Sequence, residues 1–295
     1  MDPAAEHVVV ARSRSEPQCA ELSLVLTASG IEHWRTSAAH GEWLLVVPAA
    51  EARRAVAELE AYRAEHARPV EPPPPVPEHR HPWVGVGAYA ALLMLVATFA
   101  KQYAFGLEWL AAGRLAAGQL LAGEWWRSVT ALTLHVDTGH LASNLGFGAF
   151  FGYFIGRYFG PGVGWFAILA SGTLGNVLNA VIQSPDHRSI GASTAVFGAL
   201  GLLTAHAWRR GVAQTSWRAR VAPLAAGIGL LAFTGTGGEN TDIFAHLTGF
   251  AAGFGIGAGL ARTRVPQALA AQAAFGAAAV GVVVLAWIWG LAAAG

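Results

Sequence analysis

The chain has 295 residues, of which 54% are hydrophobic and 13% are charged, and its formal net charge at pH 7 is +1. Because an ordinary soluble domain carries about 25% charged residues, this composition excludes a wholly soluble protein. The balanced charge gives no indication of a nucleic-acid partner, and the single cysteine, Cys19, excludes an internal disulfide.

Charged residues are concentrated near the N-terminus, where residues 1–80 hold 12 of the 18 acidic residues. We therefore predict a small domain at 1–68, a proline-rich linker at 69–80 that contains PVEPPPPVP, and a membrane domain at 81–295. The N-terminus is polar and lacks the features of a signal peptide, so we expect the small domain to lie in the cytosol.

The small domain is predicted to be α+β, with the element order β-α-β-β-α and with Ser15 as the N-cap of its first helix. The predicted elements are strands at 7–11, 31–36 and 42–47, and helices at 16–29 and 49–66. This order resembles the small signal-transducing-like domains found at the N-terminus of some prokaryotic membrane proteins. The sequence leaves open whether the domain binds a ligand, binds a partner or only adds stability.

The rest of the chain is predicted to be an all-α polytopic membrane protein. A membrane span needs about 20 apolar residues, and seven segments approach that length. Their approximate limits are 82–100, 140–160, 162–183, 190–208, 220–235, 242–261 and 268–293. The gap at 101–139 is semi-apolar and rich in tryptophan, and we expect it to lie at the membrane interface.

Loop charges predict the orientation of these spans. With the N-terminus inside, all six acidic residues of 81–295 lie in outer loops and most arginines lie in inner loops, as the positive-inside rule requires. The Ala-, Gly- and Arg-rich composition is typical of bacteria. We therefore expect a multi-pass protein of the cytoplasmic (inner) membrane, with spans two, four and six starting on the outer side.

Four polar residues lie near the outer ends of these three spans, namely His140, Asn144, Ser193 and His246. Polar groups inside a bilayer are costly, so four at one depth favour a shared functional pocket. Serine and histidine suggest a nucleophile and its base, and no acidic residue lies inside a span, past its first residue, to complete a triad. Alternatively, Ser193 is a packing residue, and His140 and Asn144 cap span two.

At these positions the sequence resembles the rhomboid family of intramembrane serine proteases. Four motifs match in order: the Trp126-Arg127 pair, His140-x-x-x-Asn144, GAST at 191–194, and AHLTGFAAG at 245–253. The resemblance implies the following roles for single residues: Ser193 as nucleophile, His246 as base, the Ser193 amide with His140 and Asn144 as oxyanion site, and Gly191, Phe197 and Gly249 as site-shaping residues. Trp126 and Arg127 would be structural and would anchor the loop at the lipid headgroups.

Two positions depart from the family pattern. Thr194 replaces a glycine that often follows the nucleophile, and we expect its side chain to narrow the site. Phe197 replaces a tyrosine, which keeps the ring and removes the hydroxyl. Neither change removes a catalytic atom.

The predicted function is therefore cleavage of single-span membrane-protein substrates near the outer face of the lipid bilayer, without metal or cofactor. The first alternative is an inactive rhomboid-like protein that binds clients. The second is a small-solute transporter, which the lack of mid-membrane charge and of broken helices disfavours. Gly-x-Ser-x-Ala and the apolar spans exclude a soluble α/β-hydrolase.

Overall fold

The computed structural model describes residues 6–38, 41–66, 78–212, 217–235 and 242–294. The chain forms two compact units, Met1–Pro74 and Pro75–Gly295. The predicted linker lies outside the described residues over 69–77. Each unit is described by itself below.

The first unit is a three-stranded antiparallel sheet with two helices. Its elements are β1 (His7–Ser13), α1 (Glu16–Ala28), β2 (Trp34–Ser37), β3 (Trp43–Pro48) and α2 (Ala52–His66). The central strand is β3, which pairs with β1 and with β2. Its inward residues Leu45 and Val47 are buried against Leu22, Leu26 and Leu59 of the two helices. Alternation along β3 thus supplies one face of the core.

Helix α1 begins after Ser15, but the Ser15 side chain makes no capping hydrogen bond. Instead, the backbone N–H of Ser15 donates to the Ser13 hydroxyl at 3.0 Å. The predicted cap position is therefore right, although the Ser15 side chain gives the helix no hydrogen bond.

The second unit contains seven helices of 18 to 26 residues within its described part. They are α3 (Trp83–Lys101), α7 (Thr138–Phe159), α8 (Val163–Ile182), α9 (Ser193–Val212), α10 (Trp217–Gly235), α11 (Ile243–Leu260) and α12 (Leu269–Ala294). Four of them, α3, α8, α11 and α12, are long and apolar enough to cross a membrane. Helices α7 and α9 carry more polar side chains. The seven-span count stays a prediction.

Glycines allow α11 to approach α9 and α8 closely. A Cβ atom built on Gly253 would lie 2.0 Å from the Gly198 carbonyl oxygen, and one on Gly257 would lie 2.9 Å from the Leu202 Cα. Since no real Cβ fits at 2.0 Å, only glycine permits this backbone contact at position 253. Gly253 and Gly257 therefore lie at the α9–α11 contact.

Residues 102–137 form a folded segment between α3 and α7. Three short helices, α4 (Trp109–Gly113), α5 (Ala117–Leu121) and α6 (Arg127–Thr130), accompany strand β4 (Leu115–Ala116). Strand β4 pairs with β5 (Arg188–Ser189), which follows α8. The 102–137 segment is thereby joined to the loop that leads to Ser193.

Trp126 and Arg127 lie inside this segment, and both are 7% exposed. Trp126 belongs to a buried cluster that includes Trp109 and Trp287. The Arg127 guanidinium pairs with Glu124 at 2.6 Å and donates to the carbonyls of Ala111 and Arg114 at 2.9 and 2.8 Å. Burial of both side chains argues against the expected headgroup contact, and the Arg127 guanidinium has its partners within the protein.

Helix α12 is attached to the turn between α7 and α8 through Gln272. Its side-chain oxygen accepts hydrogen bonds from the backbone N–H groups of Gly162 and Val163 at 2.9 and 3.0 Å. Its amide donates to the carbonyl of Pro266 at 2.8 Å. The first N–H groups of a helix have no partner within it, so Gln272 supplies part of the N-terminal cap of α8.

Candidate active site

One cavity of about 1170 Å³ contains all four polar residues predicted at a common depth. His140 and Asn144 reach it from α7, Ser193 from α9 and His246 from α11. Asn144 and His246 are buried, whereas His140 and Ser193 are partly exposed. The structure therefore brings together the side chains that the span limits predicted to meet.

Ser193 is the first residue of α9. The N–H groups of a first helical turn lack intrahelical acceptors and carry the positive end of the helix dipole. The residue before Ala192, Gly191, has a φ of +135°, which side-chain-bearing residues rarely adopt. A Cβ on Gly191 would lie 2.7 Å from the His140 ring and 3.6 Å from the Ser193 Oγ. Glycine thus keeps open the space between these two side chains.

His246 lies in the first turns of α11, whose N-cap is Asp242. The Asp242 carboxylate accepts from the Ala245 N–H at 3.0 Å, and the His246 N–H donates to the Asp242 carbonyl at 3.2 Å. The ring of Phe197, one turn after Ser193, packs on the His246 imidazole with centroids 4.3 Å apart. The base candidate is thus held by its own helix cap and by the helix of the nucleophile candidate.

His140 and Asn144 occupy one face of α7, one turn apart. Asp137 caps this helix by accepting from the His140 N–H at 2.8 Å. The Asn144 carbonyl accepts from the Tyr89 hydroxyl at 2.8 Å. Among the described residues, the Asn144 Nδ2 has no hydrogen-bond partner. A buried amide donor at a cavity wall is suited to a negatively charged oxygen.

The Thr194 side chain lies between helices rather than in the cavity. It is buried, and its methyl group would be 2.7 Å from a Cβ on Gly175 of α8 and 3.0 Å from one on Gly249 of α11. It is not among the cavity-lining residues. The expectation that Thr194 narrows the site is therefore wrong, because the start of α9 turns this side chain toward Gly175 and Gly249.

Sequence reasoning missed a polar cluster at the edge of the cavity. The Asp242 Oδ2 accepts from the Asn179 Nδ2 at 2.8 Å and lies 2.8 Å from the His187 Nε2. The only signal in the sequence was the position of Asp242, four residues before His246. Within the described ranges, no group of three His, Cys, Asp or Glu side chains is placed to hold a metal ion.

Comparison with known proteins gives one family. Residues 122–263 match the family model described as Rhomboid domain. The rhomboid protease GluP of Bacillus subtilis (strain 168) is 38% identical over 81 residues, which is 28% of this chain and 16% of that protein. The putative rhomboid protease YdcA of the same organism is 30% identical over 133 residues, 45% of this chain and 65% of that protein.

A eukaryotic relative, rhomboid-like protease 1 of Toxoplasma gondii, is 31% identical over 138 residues, which is 46% of this chain and 47% of that protein. The chain thus spans less than two thirds of the length of each of these three relatives. The family match includes His140, Asn144, Ser193 and His246.

Proposed function

Because the chain belongs to the rhomboid family, we propose that it is an intramembrane serine endopeptidase with Ser193 as nucleophile and His246 as base. The chain is a multi-pass membrane protein, and the curated relatives are named as proteases. The observation that carries the proposal is that Ser193, His246, His140 and Asn144 line one cavity from three helices.

In the proposed reaction, the Ser193 Oγ attacks the carbonyl carbon of the scissile peptide bond, and His246 takes the hydroxyl proton. The resulting oxyanion accepts hydrogen bonds from the Ser193 N–H and from the side chains of His140 and Asn144. His246 then protonates the leaving amine, and the C–N bond breaks. A water molecule, deprotonated by His246, hydrolyses the acyl-enzyme and returns Ser193.

We propose single-span membrane proteins as substrates, with a cleavage site near the outer face of the inner membrane. The substrate helix must unwind before its carbonyl reaches Ser193, which favours small and helix-breaking residues near the cleaved bond. We place the first unit in the cytosol, a proposal that the distribution of arginines among the loops supports.

Labelling with a fluorophosphonate probe tests this proposal without knowledge of the substrate. The purified protein in mild detergent should be labelled at Ser193, as mapped by mass spectrometry of the modified peptide. Ser193→Ala and His246→Ala should not be labelled. Ser143→Ala should be labelled, because Ser143 reaches the same cavity but donates to the His140 carbonyl at 3.0 Å.

The alternative function, binding of clients without catalysis, has a distinct outcome. A folded wild-type protein that is not labelled, beside a known active rhomboid protease that is labelled in parallel, would favour that alternative. Labelling of Ser193→Ala at the wild-type rate would remove Ser193 from its proposed role.

A further inference from the structure

Asp242, Asn179 and His187 connect three parts of the membrane unit at the edge of the cavity. Asp242 precedes α11, Asn179 is fully buried in α8, and His187 lies in the loop between α8 and α9. Both nitrogen groups approach the same oxygen, Asp242 Oδ2, at 2.8 Å. Because an ionised carboxylate only accepts hydrogen bonds, the His187 Nε2 carries the hydrogen in this arrangement.

The two oxygens of the Asp242 carboxylate make different connections. Oδ1 caps α11 by accepting from the Ala245 N–H at 3.0 Å. Oδ2 makes the contacts with Asn179 and His187, which belong to other elements. One side chain therefore defines both where α11 begins and where that end of the helix lies against its neighbours.

The His187 loop is itself held in place by the 102–137 segment. The Ala117 N–H donates to the His187 carbonyl at 3.0 Å, and strand β5, which follows His187 directly, pairs with β4. The same loop continues to Gly191 and Ser193. The Asp242 carboxylate thus joins the start of the helix that carries His246 to the loop that leads to Ser193.

From these contacts we propose that Asp242 is a positioning residue for His246, with Asn179 and His187 as the groups that hold it. This inference rests on the proposed Ser193–His246 function. Asp242 does not touch the reacting atoms. Its contacts keep the first turn of α11 in the register and orientation in which the imidazole reaches Ser193. Asp242 would thus serve a dyad in a way that does not require a third catalytic carboxylate.

Two substitutions at position 242 separate the N-cap of α11 from the contacts with Asn179 and His187. Asp242→Ser keeps a good N-cap acceptor, but a serine hydroxyl is too short to reach Asn179 and His187 as well. Asp242→Asn keeps both the cap and the length. The Asn179 Oδ1, which has no partner among the described residues, can then accept from the new amide after Asn179 turns over.

The measured quantities are the fluorophosphonate labelling rate at saturating probe, the probe concentration at half-maximal rate, and the melting temperature of the purified protein. For Asp242→Ser we expect the saturating rate to fall by about tenfold or more. A tenfold fall corresponds to an increase of about 1.4 kcal/mol in the activation free energy. The half-maximal concentration should stay within about threefold, because the cavity wall is otherwise intact. Asp242→Asn should recover most of the lost rate.

A matched pair in α8 distinguishes positioning from general destabilisation. Asn179→Leu removes the buried donor to Asp242, and Asn176→Leu removes a buried donor of the same helix that bonds the Ser128 carbonyl at 2.9 Å instead. Both changes remove one buried amide of similar volume. We expect Asn179→Leu to lower the saturating rate as Asp242→Ser does, whereas Asn176→Leu lowers the melting temperature and leaves the rate per folded molecule near wild type.

The outcomes separate the positioning role from the proposed function. Equal saturating rates in wild type, Asp242→Ser and Asn179→Leu would overturn the positioning role alone. Equally low rates in Asn176→Leu and Asn179→Leu would also overturn it, because loss of any α8 contact would then suffice. Absence of labelling in the folded wild type would overturn the proposed function and the positioning role with it.

Discussion

The Phe197 ring and the His246 imidazole lie face to face at a tilt, with centroids 4.3 Å apart and planes at 32°. Because Phe197 belongs to the helix that begins with Ser193, this contact limits how far His246 can turn from that helix. Stacked rings of this kind contribute about 0.5–1.5 kcal/mol beyond their buried area. The contact requires the ring and does not require a hydroxyl.

We expect Phe197→Leu to lower the fluorophosphonate labelling rate by about three- to tenfold, as that interaction energy implies. Phe197→Tyr keeps the ring and should remain within about twofold of wild type, because Phe197 lines the cavity, which has room for the hydroxyl. The two variants are compared at equal folded fraction, judged by gel filtration and melting temperature. Equal rates for leucine and phenylalanine would show that the ring does not orient His246.

Gly249 is the closest point between α11 and the start of α9. A Cβ on Gly249 would lie 2.2 Å from the Thr194 carbonyl oxygen, so Gly249→Ala must push the two helices apart. We expect a destabilisation of about 1–3 kcal/mol, together with loss of labelling, because the shift separates His246 from Ser193.

Gly255 of the same helix is the control for this change, because a Cβ there meets no atom within 4 Å. Gly255→Ala should keep its labelling rate and should not lower the melting temperature, since alanine is the better helix former. If Gly249→Ala behaved like Gly255→Ala, the close contact at Thr194 would have no role in the site.

Arg127 is expected to stabilise the 102–137 segment. Arg127→Met removes a buried charge and leaves the carbonyls of Ala111 and Arg114 and the Glu124 carboxylate without their donor. Because the Glu124 side chain is 33% exposed, the main cost is the loss of hydrogen bonds to a charged group, at about 1.5–3 kcal/mol each. We expect a large drop in melting temperature in detergent, and faster proteolysis within 102–137.

Arg262→Met is the matched control, because Arg262 is exposed and surface substitutions of this kind change stability by only about 0.5 kcal/mol. A normal melting temperature for Arg127→Met would contradict the structural role of the guanidinium. It would leave a lipid-headgroup contact as the simpler explanation of Arg127.

His135 should make the protein less stable in acid. Burial, with a smaller effect of the nearby His140, lowers the pKa of His135 to about 4 from 6.5. Between these values the unfolded chain binds a proton that the folded protein does not bind, so stability falls as the pH drops from about 6.5 to about 4. Above pH 6.5 this group contributes no pH dependence.

The measurement is the melting temperature at pH 7.5 and at pH 4.5 for wild type and His135→Phe. Between pH 7.5 and pH 4.5 we expect the free energy of unfolding to fall less in His135→Phe than in wild type. The difference should be on the order of 2 kcal/mol. His81→Asn is the control, because His81 is exposed and its φ of 59° is one that asparagine adopts readily. Parallel losses in wild type and His135→Phe would show that His135 does not titrate in this range.

The sequence predicted correctly which residues lie at one level along the helices. It predicted the direction of their side chains less accurately. Counting residues from the predicted span ends was enough to bring His140, Asn144, Ser193 and His246 to one level, because the rise per residue of a helix is constant. The same counting does not give the rotation of a helix start. For that reason Thr194 was expected in the cavity and lies instead against Gly175 and Gly249.

The 102–137 segment was harder to predict, because its short helices and two-residue strand have no long apolar period. A tryptophan-rich gap suggested the membrane interface, yet Trp109 and Trp126 are buried in the protein. The contact of His187 with Asp242 could not be predicted either, because no local sequence pattern indicates it. The position of His187 depends on the pairing of β4 with β5, which joins residues about 70 positions apart.

The attachment of α12 through Gln272 has a consequence for how the protein is made. Gly162 and Val163 are made first, and Gln272, whose side chain accepts from their N–H groups, follows 110 and 109 residues later in the chain. At about 5–20 residues per second, the ribosome needs on the order of 5–20 s to supply it. During that interval the N–H groups at the start of α8 must find other acceptors, such as water or the insertion machinery. The N-terminal cap of α8 is completed only after the last helix has been made.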